Sequence, residues 1–264
     1  MIGDRLEPNN NRWRLLGINN NDAYMNMAID EAIANFISKK RVPNTIRFYR
    51  WRPSAVSIGY FQSITEEVNL DLCNQLKIDI VRRNTGGGAV YHDTDGELTY
   101  STIIDLNNPF ITQDIMKSYE IICSGLILGL KKMGIKAEFR PINDIVVDGK
   151  KISGNAQTRR FDSFLQHGTI LIDSNISKMF KVLKISNEKI SDKMIKKAEE
   201  RVTNLKKLLR SSVSFEEVFQ ALKMGFEETL GITLDKGKLT SEEEKLALKL
   251  REEKYLKKNW NFKR

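Results

Sequence analysis

The chain has 264 residues, 41% of them hydrophobic and 29% charged, with a formal net charge of +9. This is the balance of a folded globular protein, long enough for one large domain or for a domain with a small appendage. No stretch approaches the roughly 18 apolar residues needed to span a bilayer, and the polar run from Met1 to Asn21 has no signal-peptide core, so a cytoplasmic location without membrane contact is expected.

In chain order, Ala28, Ile29, Ala32, Ile33 and Phe36 recur at helical spacing, predicting a helix over Asp22 to Phe36. Thr45 to Tyr49 and Ala55 to Ile58 read as short strands, with Pro53 in the turn between them. Val68, Leu72 and Leu76 predict one face of a second helix, and Ile78 to Val81 a buried strand. Leu98 to Ile104 reads as a strand. Asp114 to Met133 reads as a long helix with Ile115, Ile122, Leu126 and Leu130 on one side.

Asp148-Gly149, between the apolar runs Ile145 to Val147 and Lys151 to Ser153, is a hairpin signal, because both turn residues tolerate positive φ. Phe164 to Ile172 follows as a strand. Beyond Asp173 the character is helical. Ser214 with Glu217 forms a capping box for a helix ending at Leu230, with Gly231 as its C-cap. Ser241 with Glu244 opens a last helix reaching about Leu256. There is no internal repeat and no low-complexity linker. The organisation expected is one domain over 1–264, with an α/β core to about residue 175 and a helical part of the same domain after it.

Cys73 and Cys123 are the only cysteines, and each falls in a segment that reads as helix. A zinc site or disulfide framework is not expected. Lysines between Glu188 and Lys258 are mixed with glutamates, as on a solvated helical surface. No zinc-finger, RNA-recognition or basic-zipper signature accompanies the positive charge. An acidic protein partner is therefore expected rather than a nucleic acid.

The most informative stretch is Arg82-Arg83-Asn84-Thr85-Gly86-Gly87-Gly88-Ala89-Val90-Tyr91-His92-Asp93. Three glycines let the backbone approach a ligand, and their N–H groups can converge on an anion; the two arginines offer a phosphate clamp. Alone, such a run is as readily a tight turn, and it matches neither a P-loop nor the dinucleotide fingerprint. In Asn143-Asp144 and Lys151-Ile152-Ser153-Gly154-Asn155-Ala156-Gln157, Lys151 can set an ammonium at a pocket edge, suited to an acyl phosphate, or can be a solvated lysine beside a turn. Asp144 is either an Mg²⁺ ligand or a turn residue. His167, in Gln166-His167-Gly168-Thr169, and His92 read as structural histidines or as bases. Ser153 lies in no nucleophile elbow, which weakens a Ser-His-Asp hydrolase.

Taken in this order, RRNTGGGAVYHD at Arg82–Asp93, ND at Asn143–Asp144, KKISGNAQ at Lys150–Gln157 and QHGT at Gln166–Thr169 resemble the lipoate–protein ligase A family. Met27 to Ala32 and Val56 to Gln62 also look like family segments. The likeness runs from about Asn19 to Asp173 and is looser after it.

The resemblance implies a biotin/lipoate ligase fold, an α/β arrangement of the α+β type with mixed, largely antiparallel sheets flanked by helices. It implies a two-step reaction in which lipoate and ATP, with Mg²⁺, give lipoyl-AMP, and an acceptor lysine then takes the lipoyl group. Implied acceptors are acidic lipoyl domains of 2-oxoacid dehydrogenase complexes or the glycine cleavage H protein. Lys151 would contact the lipoyl carbonyl and phosphate. Arg83, Gly86, Gly87, Gly88, Ala89, Val90 and Tyr91 would contact nucleotide or lipoyl arm. Asn143 and Asp144 would sit beside phosphate and metal, and His167 would be a pocket wall.

Two departures stand out. Asn155 replaces the serine many relatives carry, which alters a contact one layer behind the ligand. The chain also stops soon after the point where longer relatives begin a C-terminal accessory domain, so a separate accessory protein is expected as a partner. An octanoyl- or lipoyl-transferase of the same fold is the main alternative. Relatives of that kind carry a nucleophilic cysteine shortly before the Lys-Ile-Ser-Gly stretch, where this chain reads Phe139-Arg140-Pro141-Ile142-Asn143-Asp144. A biotin ligase and a non-enzymatic binding module for an acylated cofactor or carrier are further alternatives.

Overall fold

The computed structural model describes residues 11–184 and 200–264. The part of the lysine- and glutamate-rich stretch that falls on 188–199 lies outside the described residues.

β1 (Arg12–Asn21) runs into α1 (Ala23–Ser38). Asp22 sets the start of α1 by accepting the Met25 N–H at 2.7 Å, which satisfies one free amide of the first turn. β2 (Thr45–Trp51) and β3 (Ala55–Ile58) follow. The expected second helix is instead two short ones, α2 (Ile64–Glu67) and α3 (Leu70–Gln75). Val68 between them is extended and bridges to Leu183, so Cys73 rather than Leu76 faces the core; Leu76 is exposed. Helical spacing could not register a strand-like contact with a residue more than a hundred positions away.

β4 (Asp79–Arg82), β5 (Val90–His92) and β6 (Glu97–Asp105) carry the chain past the glycine run into α4 (Ile115–Lys132). Ile122, Leu126 and Leu130 of α4 are fully buried, whereas Ile115, expected on the same side, is exposed in the first turn. β7 (Glu138–Arg140), β8 (Asp144–Val147), β9 (Lys150–Thr158) and β10 (Ser163–Leu171) form a meander. Asp148 and Gly149 both have positive φ, at 48° and 75°, as the hairpin signal required.

The last third holds α5 (Ile176–Val182), α6 (Leu205–Leu209), α7 (Phe215–Leu230) and α8 (Ser241–Leu250). A π-helical turn (Arg251–Tyr255) and α9 (Lys258–Asn261) end the chain. The Ser214–Glu217 capping box and the Gly231 cap are present. The second box is formed by Thr240 with Glu243, one residue before the expected Ser241 with Glu244. Two adjacent hydroxyl residues with glutamates at both spacings leave the frame open in sequence. This region also contains a strand that the helical reading missed, β11 (Thr233–Lys236), paired in parallel with β1.

Among the described residues an eight-stranded mixed sheet has the order β11-β1-β2-β6-β10-β9-β8-β7, and a three-stranded sheet the order β4-β3-β5. Pairing in the large sheet is antiparallel from β2 through β7. Phe48, Tyr100, Leu126 and Phe226 belong to a core between one face of the large sheet, α4 and α7. The opposite face packs on α1, with Tyr49, Trp51, Ala28 and Ile33 in a second core. Because side chains alternate along strands, Thr99 and Ser101 of β6 share that second face with His167 and Thr169 of β10. Among the described residues no helix is long and apolar enough to cross a membrane.

Candidate active site

A narrow cavity of about 120 Å³ opens on this second face, against the glycine run. Of the residues expected to contact ligand, Arg83, Gly87, Gly88, Ala89, Val90, Asn143, Lys151 and His167 line it, and so do His92 and Asn155. A larger cavity of about 660 Å³ shares Ala89, Val90, Lys151, Gly154 and Thr169 with it and adds Tyr91 and Asp144. Gly86 lines neither. Trp51, Tyr49 and Thr99, on β2 and β6, are fully or almost fully buried. Lys151, on β9 across the sheet, has a 42% exposed side chain. The narrow cavity therefore runs across the strands from an open mouth at Lys151 to a closed, aromatic end.

Gly87 has φ +87°, a conformation that side-chain-bearing residues rarely adopt, and a Cβ there would sit 3.0 Å from the Arg83 guanidinium. Arg83 explains the loop's shape. Its guanidinium is buried and donates to the Gly86 and Gly88 carbonyls at 2.7 Å each, to the Ser57 carbonyl at 3.0 Å and to Thr85 Oγ1 at 3.0 Å. Burial pulls this guanidinium down to about 10, still cationic at neutral pH. Arg82 is likewise spent on backbone oxygens, those of Gly59, Tyr60, Gln62, Trp260 and Asn261. Of the two arginines that the sequence offered as a phosphate clamp, Arg82 thus braces the loop from behind, whereas Arg83 holds the loop's carbonyls and also lines the narrow cavity. A charge in a sequence does not say which way its side chain turns.

Lys151 is the cation that reaches the mouth. Its Nζ lies 2.7 Å from Asp144 Oδ1, and a Cβ on Gly154 would come within 2.8 Å of it, so glycine leaves the channel the lysine occupies. Its backbone is held on both sides, Lys151 N–H to Arg201 O at 2.8 Å and Thr203 N–H to Lys151 O at 2.9 Å. Asn143 donates to the Asn155 carbonyl, and Asn155 Nδ2 returns a bond to the Asn143 carbonyl at 2.9 Å. Asn155 Oδ1 accepts from Tyr100 at 2.8 Å. Asn155 thereby fixes the Asn143–Asp144 segment, and it lines the narrow cavity itself rather than standing one layer behind it as expected.

Both histidines sit in buried networks that line the narrow cavity. His167 Nε2 is 2.7 Å from Thr85 Oγ1, and its Nδ1 faces Asp30, which Arg47 pairs at 2.6 Å. Burial lowers the His167 pKa against the pull of Asp30, leaving a neutral ring at pH 7. Burial pushes Asp30 up, but Arg47 and His167 outweigh it and hold the carboxyl below its ordinary value. His92 stacks on Trp51 at 3.9 Å, bonds Ser57 Oγ at 2.8 Å through Nε2 and Glu97 at 2.7 Å through Nδ1.

Neither cysteine lines this cavity. Both are buried, and burial pushes the Cys73 thiol up to about 11 and the Cys123 thiol to about 12. A thiol held protonated is a poor nucleophile. Among the described residues no group of three or more His, Cys, Asp or Glu converges as a metal cage.

The catalytic-domain model of lipoyl protein ligases A and B matches residues 22–227. The chain belongs to this lipoyl ligase A/B family. Among curated members it is 38% identical to octanoyltransferase LipM of Kyrpidia tusciae, over 96% of this chain and 99% of that protein. It is 34% identical to LipM of Bacillus subtilis, over 96% and 98%. Among solved structures, the bi-partite lipoate protein ligase of Thermoplasma acidophilum superposes with a TM-score of 0.83 at 34% identity, covering 95% of this chain and 96% of that one. A lipoate-protein ligase A bound with ATP gives 0.83 at 32% identity, over 95% and 98%.

Met27 and Ser57, within the quoted family segments, also line the narrow cavity, and this family member completes the pocket with residues no motif revealed. These are Tyr49, Trp51 and Thr99. Their only sequence signal was apolar or alternating patterning, which reports burial and not which buried face is hollow.

Proposed function

We propose that this chain joins a lipoyl-type acyl group to a lysine of a protein acceptor by way of an acyl adenylate, as a lipoate–protein ligase. The observation that carries this reading is that a lysine, and no cysteine, stands at the mouth of the narrow cavity. In the first step the acyl carboxylate oxygen bonds the α-phosphorus of ATP and the bond to pyrophosphate breaks. In the second, the acceptor amine bonds the acyl carbonyl carbon, the carbonyl C–O bond breaks, AMP leaves and the nitrogen gives up a proton.

Lys151 stabilises negative charge on the carbonyl and phosphate oxygens in both steps. The glycine run lets the nucleotide lie against backbone, and the closed aromatic end takes the distal part of the acyl chain. Mg²⁺ takes one or two carboxylates together with substrate phosphates; Asp144 would give one oxygen, and the ion would offset phosphate charge. Relatives solved with ATP and with lipoic acid support the nucleotide and the acyl substrate as ligands. The bi-partite lipoylation system of T. acidophilum, with its E2 lipoyl domain, supports a lipoyl domain as acceptor and a separate polypeptide as accessory.

The curated LipM relatives, named octanoyltransferases, favour a second reading, an octanoyl transferase of the same fold, over an ATP-dependent ligase. The acceptor lysine nitrogen would then bond the carbonyl carbon of an octanoyl thioester held in the same cavity, the C–S bond would break, and the carrier thiol would leave with the proton the nitrogen gives up, without an acyl-cysteine. The discriminating experiment supplies an acceptor domain with either lipoate and Mg-ATP or an octanoyl-carrier thioester. Lipoate-dependent pyrophosphate release and modification by the first pair are expected. Modification only from the thioester would establish the second reading instead.

A further inference from the structure

Beside the cavity, on the outer side of the glycine run, lies a cationic aromatic surface that the acyl-transfer site does not use. The turn at Gly59–Gln62 rests on the run, since a Cβ on Gly59 would fall 2.0 Å from the Gly87 carbonyl, and the Tyr60 N–H donates to Thr85 O at 2.8 Å. Tyr60 meets Phe61 and Trp260 edge to face, at 5.0 and 5.8 Å. Over these rings stand the Arg160 guanidinium, 3.7 Å from Tyr60, and the Lys263 ammonium, 3.2 Å from Tyr60 and 4.0 Å from Trp260. Arg264 lies over Phe61, which is 64% exposed.

Three features separate this surface from an ordinary solvated charge run. Among the described residues no carboxylate pairs with Arg160, Lys263 or Arg264, although the chain elsewhere forms ion pairs freely. Hydrogen bonding from Arg160 and Lys263, the two cations standing over its ring, holds the Tyr60 phenol at about 8. The surface is also preformed, because Arg82 ties the Gly59–Gln62 turn and the Trp260–Asn261 segment together from beneath.

We propose that this surface docks an acidic face of the acyl-acceptor protein, bringing the acceptor lysine to the cavity mouth. The inference rests on the acyl-transfer reading given above. Unpaired cations around exposed aromatics suit a partner with carboxylates surrounding a small apolar centre, and they speed encounter as well as fixing orientation. Tyr60 sits one residue from Gly59, which touches the glycine run, so a partner seated here is beside the reacting carbonyl.

The test uses Arg160→Glu and Lys263→Glu, with Arg160→Gln as a milder variant should a reversal fail to fold. Each receives preformed lipoyl-AMP and either hydroxylamine or a purified E2 lipoyl domain. The reversals are expected to raise KM for the lipoyl domain by about tenfold or more at low salt, with the gap narrowing as screening increases. The hydroxylamine reaction, which needs no docking, stays at the wild-type rate. An unchanged KM overturns the proposal, as does an equal fall with hydroxylamine. So does wild-type protein that acylates hydroxylamine but no lipoyl domain. Retention of single-stranded RNA by wild type and not by the variants, with KM unchanged, assigns the surface to nucleic acid instead. A wild-type protein active on neither nucleophile removes the acyl-transfer reading and the docking with it.

Discussion

Replacing Lys151 with alanine removes the cation at the cavity mouth while leaving the scaffold. Its partner Asp144 is 2.7 Å away, with side chains 42% and 30% exposed. An ion pair this open to solvent contributes about 0–1 kcal/mol, so Lys151→Ala should unfold near the wild-type denaturant midpoint. Catalysis is a different matter. Unit charges about 4 Å apart at an effective dielectric of about 20 attract by about 4 kcal/mol. Loss of one preorganised contact to a developing oxyanion costs about 3 kcal/mol in practice. Transfer from preformed lipoyl-AMP should therefore slow by about a hundredfold or more. A single-turnover assay with a lipoyl domain, read by intact mass, measures it. A folded Lys151→Ala protein that transfers at the wild-type rate would refute the role given to this lysine.

Three further outcomes follow from the geometry. Gly88→Val should weaken lipoyl-AMP binding in calorimetry without a large loss of stability, because a Cβ there meets no protein atom within 4 Å and projects into open space; unchanged affinity would show that the loop does not cradle the ligand. Gly87→Val is the poorer probe, since its φ of +87° strains any side chain whatever the ligand does. In a spectrophotometric titration one tyrosine should ionise at about 8, and Arg160→Ala should raise that midpoint toward the ordinary 10.0. His167 has a folded pKa below its ordinary 6.5, so the unfolded chain takes up a proton that the native one refuses. Its contribution to stability is full above that value and is lost as pH falls below it. Urea unfolding of His167→Gln should accordingly fall less steeply between pH 7 and pH 5 than that of wild type.

Much of this architecture was legible in local pattern. The helical spacing of Ala28 to Phe36 marked α1, and Asp148-Gly149 marked the β8–β9 hairpin and Ser214 with Glu217 the start of α7, the last two because each acts on backbone groups three or fewer residues away. The glycine run and Lys151 drew attention through their joint resemblance to a family pattern, since alone each also reads as a tight turn or a solvated lysine. What local pattern missed was long-range. Val68 is extended because of Leu183, and β11 exists because β1 offers an edge. Arg82 and Arg83 turn inward because the glycine run and the C-terminal segment leave carbonyls that need donors. Asn155 was read as a minor replacement, yet its amide joins Tyr100 to the Asn143 backbone and so holds the wall carrying Asp144.

The central claim is that the acyl group travels on AMP and never on the protein. A single-turnover mixture of this chain, lipoate and Mg-ATP, with any accessory polypeptide it requires and no acceptor, tests it by intact-mass analysis after denaturation. The expected result is free lipoyl-AMP and an unmodified chain, unchanged in the Cys73→Ala/Cys123→Ala double variant, since both thiols are buried and held protonated. An acyl adduct on the chain that disappears with either cysteine would contradict the account.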